Sequence, residues 1–150
     1  MRLTIIFTFL VLFFSCSVSK NYPEENILIS MEKTACRGHC PVYSIIIYKN
    51  GFARFEGKEH VNKIGEYKTK ISKDELNRLS ELFEENDFFN FENSYTSLYK
   101  DLPTTYIYFS FKGKSKRIKD YDGAPEKLKE IEKEIAKLID SLKWKKVKSK

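Results

Sequence analysis

The sequence predicts an α+β domain, a mainly antiparallel β-sheet with two α-helices packed on one face. Three observations predict it. Aromatic and β-branched runs flank short glycine turns at Asn50-Gly51 and Lys112-Gly113, the pattern of two hairpins. A capping box, Ser72-Lys73-Asp74-Glu75, opens an amphipathic stretch. Near the end of the chain, Leu128, Ile131, Ile135, Leu138 and Leu142 recur at spacings of three and four. Hairpins give an antiparallel sheet, and a helix with one apolar stripe has to bury that stripe on another layer.

Each element follows from local chemistry. Residues 27–31 are a first apolar strand, and 42–48 a second, β-branched and aromatic along its length. Asn50-Gly51 predicts a type I′ turn, which needs positive φ at both central residues. Residues 52–56 return, and 64–71 alternate Tyr67, Thr69 and Ile71 against Glu66, Lys68 and Lys70. In the capping box the Ser72 hydroxyl is expected to accept the Glu75 N–H, while the Glu75 carboxylate reaches back. Ile71 and Leu76 are placed to staple that helix start. Leu76, Leu79, Leu82 and Phe83 form its apolar face, and the helix should end near Asn86. Residues 87–103 read as irregular. Residues 106–111 and 115–119 form the second hairpin, and Asp122-Gly123-Ala124-Pro125 starts the last helix, with Pro125 suited to its first turn.

The N-terminus carries a location signal. Arg2 precedes a nearly continuous apolar run, residues 5–14, broken only by Thr8. That is short of the roughly 20 apolar residues a spanning helix needs, and it fits the apolar segment of a signal peptide. Phe13-Phe14-Ser15-Cys16 follows, a small residue before a cysteine, as in a bacterial lipobox. Residues 1–15 therefore read as a lipoprotein signal, Cys16 as the lipidated residue and residues 16–26 as a polar tether. An ordinary secretory signal, cut a few residues later, is the alternative. Of the three cysteines, lipidation of Cys16 leaves Cys36 and Cys40 as an even pair in an oxidising compartment.

Charge argues against nucleic acid. The formal charge is +6, but Arg2 leaves with the signal and five of the last eight residues are lysines (143, 145, 146, 148 and 150). The other 21 cations match the 21 acids. Between Arg2 and Lys143 the chain is therefore neutral, and the excess sits in its last eight residues, where 145–150 read as a Lys-rich tail after the 27–144 domain. With Trp144 beside it, such a tail suits an anionic membrane surface; a solvated, frayed end is the plainer reading.

Chemistry is sparse. Cys36-Arg37-Gly38-His39-Cys40-Pro41-Val42-Tyr43 stands out as a tight loop, with Gly38 and Pro41 excluding a helix. Its two cysteines can approach within disulfide range across a turn at Gly38. A redox dithiol is the first alternative, though the spacing is one residue longer than C-x-x-C. A metal set of Cys36, His39 and Cys40 is the second, with only His60 and scattered acids left to complete it. The haem attachment motif and the hydrolase nucleophile elbow are both absent. Asp101, Asp120 and Asp122 offer acid/base pairs but more commonly serve turns and caps. Tyr95, Tyr99 and Tyr106 could line a ligand groove, and aromatics of this kind usually form core.

Several stretches together resemble a known family. They are Arg37 to Tyr43 with Cys36 ahead, Asn50-Gly51 with Glu56-Gly57 after it, and Leu79 to Phe89 ending in Asp87-Phe88-Phe89. Asp101-Leu102-Pro103-Thr104, and Leu128 to Leu142 with Trp144, complete the set. On these residues the chain resembles a bacterial domain of unknown function, number 6438, over about 27–144. The resemblance implies an exported or lipoprotein-like setting, as in Bacteroidetes-type bacteria. It implies no mechanism, since that family has no assigned activity.

The sequence thus leads to a cell-envelope lipoprotein held to a membrane at Cys16, facing the periplasm or the exterior. It is expected to act as a non-enzymatic binding or interaction module without cofactor or metal. The Cys36–Cys40 disulfide loop and its candidate residues Arg37, His39, Tyr43 and Asp101 would meet an envelope protein or small ligand. An envelope thiol–disulfide protein and a small-ligand carrier are the alternatives.

Overall fold

The computed structural model describes residues 24–148. The signal sequence 1–15, Cys16 and most of the tether lie outside the described residues, as do residues 149–150.

The chain is α+β. Its strands are β1 (Ile27–Lys33), β2 (Val42–Tyr48), β3 (Phe52–Glu59), β4 (Gly65–Lys70), β5 (Ser94–Tyr95), β6 (Thr105–Phe111), β7 (Lys114–Asp120) and β8 (Lys145–Lys146). Helix α1 (Lys73–Glu85) follows β4 and helix α2 (Glu126–Ser141) follows β7. All eight strands join one sheet in the order β5-β7-β6-β1-β2-β3-β4-β8. Every pairing is antiparallel except β5 with β7, so the sheet is mixed.

The type I′ geometry expected at Asn50-Gly51 is found at the second hairpin instead. At the first, Gly51 N–H donates to the Tyr48 carbonyl (2.8 Å), which centres the turn on Lys49-Asn50. Only Gly51 has positive φ (81°), and the Asn50 side chain accepts the Phe52 N–H. This is a three-residue loop with a left-handed glycine after the turn, not type I′. A Cβ on Gly51 would lie 2.6 Å from the Ile71 carbonyl, so glycine is required by space as well as by φ. The both-positive pattern of a type I′ turn occurs instead at Lys112 (φ 49°) and Gly113 (φ 78°).

Half of the capping box forms. The Ser72 hydroxyl accepts the Glu75 N–H (3.2 Å), and α1 ends at Asn86 as expected. The Glu75 carboxylate turns away from the cap to hold Arg78 (2.8–3.2 Å), because a charged bidentate partner outcompetes one backbone N–H. The stretch read as irregular contains a short 3-10 turn, Phe88–Asn90, and the two-residue β5.

Alternation sorts the strand residues. In register across the sheet, Phe109, Ile29, Ile47 and Ala53 share one face, as do Ile107, Met31, Ile45 and Phe55. All are buried and belong to one core cluster with Leu79 and Phe83 of α1 and Ile131 and Ile135 of α2. The Phe83 ring lies 4.4 Å from Phe109 and 4.8 Å from Phe88. Each such buried side chain is worth roughly 1.5–3 kcal/mol. On the opposite face Tyr106, Tyr108, Ser30, Ser44, Ile46 and Arg117 border a shallow groove of about 340 Å³.

As far as Val147 the lysine-rich end is folded onto the sheet. Lys145 and Lys146 pair with Lys68 and Tyr67 of β4, and Val147 N–H donates to the Glu66 carbonyl. Trp144 packs on Phe55 (5.5 Å) and its indole N–H donates to the Ile139 carbonyl (2.8 Å). Among the described residues no helix is long and apolar enough to cross a membrane.

Candidate functional site

The cysteine loop begins where β1 ends. Past Lys33, Thr34 and Thr104 exchange two hydrogen bonds: Thr34 N–H to the Thr104 carbonyl (3.0 Å), and Thr104 N–H to the Thr34 hydroxyl (2.9 Å). That clamp fixes where the chain leaves the sheet. Cys36 and Cys40 then close a disulfide with Cα atoms 5.8 Å apart, and Gly38 N–H donates to Cys36 Sγ (3.3 Å). With both thiols in the bridge, they are withdrawn from the Cys36/His39/Cys40 metal set. Among the described residues, no three His, Cys, Asp or Glu side chains gather to hold a metal.

The four candidate residues divide into two groups. Arg37 N–H donates to the Asp101 carbonyl (3.2 Å), and its guanidinium lies 3.7 Å from the Asp101 carboxylate. Both side chains are well exposed (86% and 57%), so the ion pair is a weak one and the backbone bond sets the register. Asp101 sits at φ 66°, a left-handed position that aspartate tolerates. Its loop hangs on Tyr121, whose hydroxyl donates to the Tyr99 carbonyl (2.8 Å) and accepts the Leu102 N–H (3.3 Å).

His39 faces the other way. Its ring lies 4.8 Å from that of His60, which follows β3 at φ 52°. Nothing local predicts this ring contact, since 21 positions separate the two histidines. A bulge between Val42 and Tyr43 shifts the β2–β3 register here. Below it Tyr43 is buried beside Phe55, with ring centroids 5.7 Å apart. Burial, and then the nearby Glu132 and Asp140 carboxylates, push the Tyr43 phenol up to about 12. Pro41, Tyr43, Phe55, His60, Val61 and Ile139 line a cavity of about 260 Å³ with a mainly apolar wall. Lys63 and Asp140 are among its polar residues.

At this end of the sheet lies a charged cluster of which the sequence singles out only Asp120. Asp120 and Glu132 are 1% and 5% exposed. Asp120 is hydrogen-bonded to Lys129, and Glu132 lies 3.9 Å from Lys33. Asp120 Oδ1 and Glu132 Oε1 have no hydrogen-bond partner among the described residues. Burial, with the Asp120 carboxylate beside it, pushes Glu132 up to about 7. A Glu132 that keeps its proton can donate to Asp120. The signal was present, because Glu132 is four residues after Leu128 and three before Ile135, on the buried stripe. Neither carboxyl lines the cavity beside His60, which suits structural pairing better than acid/base work on a substrate.

The tyrosine groove does not assemble. Tyr95 and Thr105 both pair with Asp120, whereas the next residue, Tyr106, points to the opposite face. Tyr95 packs on the core and Tyr106 stacks under Arg117 (4.8 Å) on the open face. Tyr99 is 73% exposed.

A family model described as a domain of unknown function (DUF6438) matches residues 27–139. No curated protein matches the chain.

Proposed function

Because the chain belongs to the DUF6438 family, whose description assigns no activity, we propose its function from its geometry. It is an exported module, lipid-anchored at Cys16 in a bacterial envelope, that binds a partner through the end of the sheet bearing the Cys36–Cys40 loop. In this reading α1 and α2 cover one face of the sheet and leave the other open. The Phe83–Phe109 ring contact, and the cavity that Tyr43 and Phe55 line together with Ile139, support that layering.

The cavity beside His60 is the observation that carries the binding role. At about 260 Å³ it falls just below the 300–1,000 Å³ typical of small-molecule sites. It suits one aromatic ring or branched side chain better than an elaborate metabolite. An apolar wall with a few polar groups at its edge is how an interface pocket takes a partner's anchor residue. The disulfide and the Thr34–Thr104 clamp hold the loop in place before binding, which lowers the ordering cost.

The test has two arms. Intact mass of the protein from native membranes, before and after reduction, should show a lipid increment on a chain starting at Cys16. Methyl NMR of the protein titrated with benzyl alcohol and isobutanol should shift Val61 and Ile139, and Ala136→Phe, which fills the cavity, should abolish the shifts. No increment removes the anchor; absent shifts, or shifts that persist in Ala136→Phe, remove the binding site.

A further inference from the structure

We propose that the β4–β8 edge of the sheet is a docking surface for an anionic phospholipid bilayer, an inference that rests on the membrane tether at Cys16. Seven described lysines lie along this edge and its approaches: Lys63, Lys68, Lys70, Lys143, Lys145, Lys146 and Lys148. Glu66 is the single acid in the same two segments, 63–70 and 143–148. The surplus of six equals the formal charge of the whole chain, +6, so the remainder of the molecule is neutral. Folding gathers this charge, since β8 could have paired elsewhere or not at all.

The register sharpens the point. Arg54, Lys68 and Lys145 lie directly opposite one another across β3, β4 and β8, on one face of the sheet. Like charges facing each other across strands are destabilising. Glu66 is engaged by Arg54 (3.5 Å), and none of the seven lysines has a carboxylate within ion-pair range among the described residues. Edge lysines also guard a sheet against pairing with another chain. That duty does not require lysine to face lysine, whereas a plane of anionic headgroups neutralises both together. Trp144 is not part of the surface, because it is packed against Phe55. The stretch from Cys16 to Glu25 can span at most roughly 35 Å, and a domain of this size has a radius of gyration near about 14 Å. The edge can therefore reach the bilayer that holds the lipid.

Lysine acetylation footprinting of the full chain in vesicles tests this. The chain is reconstituted in phosphatidylcholine, or in phosphatidylcholine with part phosphatidylglycerol, and rates at each lysine are read by mass spectrometry. On anionic vesicles, Lys68, Lys145 and Lys146 should slow by about fivefold, the scale of one lysine's interaction with such a surface. Lys127 and Lys133 of α2 should stay unchanged, and high salt should restore the edge rates. A Lys68→Gln/Lys145→Gln variant should lose protection at Lys146. Equal edge rates on the two vesicle types, or protection that survives high salt, overturn the proposal. Retention on neutral vesicles reads the tether separately. A chain released from neutral vesicles but still edge-protected on anionic ones would sink the anchor and keep the docking surface.

Discussion

Asp120 and Lys129 form an ion pair across the junction of β7 and α2, in which the carboxylate side chain is wholly buried and the lysine is 45% exposed. The asymmetry decides what each substitution does. Removing a partner from a buried charge leaves that charge uncompensated, which costs more than the pair is worth. Lys129→Ala should therefore destabilise by about 3 kcal/mol, and Asp120→Asn by less, because the amide carries no charge to strand. Urea unfolding of the two variants checks the order; an equal or reversed ranking would show that the pair is not what holds Asp120 in place.

Glu132 makes stability depend on pH. Its folded value of about 7 lies above the ordinary 4.5. Between those values the folded state holds a proton that the unfolded state has released, so stability falls as pH rises through that window and levels off above it. The full span corresponds to about 3 kcal/mol. Glu132→Gln should flatten the profile between pH 4.5 and 7 and be more stable than the parent at pH 8. Thermal melts across that range measure it, and an unchanged slope in the variant would assign the dependence to other groups.

The disulfide should shape the loop more than it supports the fold. Closing so short a loop is worth about 2 kcal/mol in the chain-entropy model. A Cys36→Ser/Cys40→Ser variant should lose about that much, with faster amide exchange at Arg37, whose N–H donates to Asp101. Core amides of β1 and β6 should keep their protection. A structural bridge should resist reduction below about −300 mV, and a markedly higher potential would favour the thiol–disulfide alternative.

Gly57 is the tightest glycine in the fold. A Cβ there would lie 1.9 Å from the Lys63 carbonyl, in backbone that cannot swing aside. Gly57→Ala should cost at least about 2 kcal/mol, as backbone displacement next to a core strand does. Gly113→Ala meets nothing within 4 Å and should lose only its positive-φ preference (φ 78°), about 1 kcal/mol. Chemical denaturation of the two variants compares them, and a smaller loss at Gly57 would contradict the close approach.

Elements whose cause is local were legible in the amino-acid order alone. β-branched and aromatic runs placed β2 and β6, and alternation placed β4, because side chains on a strand point to opposite faces in turn. Spacing of three and four placed α1 and α2, and Ser72 marked the start of α1 through its own hydroxyl. The 36–40 spacing made the bridge feasible, because a five-residue turn brings its ends together whatever surrounds it. The tertiary structure decided what depends on distant partners. It chose the turn geometry at Gly51, where the Ile71 carbonyl closes the space, and it moved Glu75 from its cap to Arg78. His39 met His60, and Asp120 met Lys129 and Glu132, only because strand order brings the ends of β1, β3 and β7 to their neighbours. The lysines at the C-terminus looked like a tail because nothing within a few residues orders them; β4 orders Lys145 and Lys146 through Lys68 and Tyr67, 77 and 79 residues earlier in the chain.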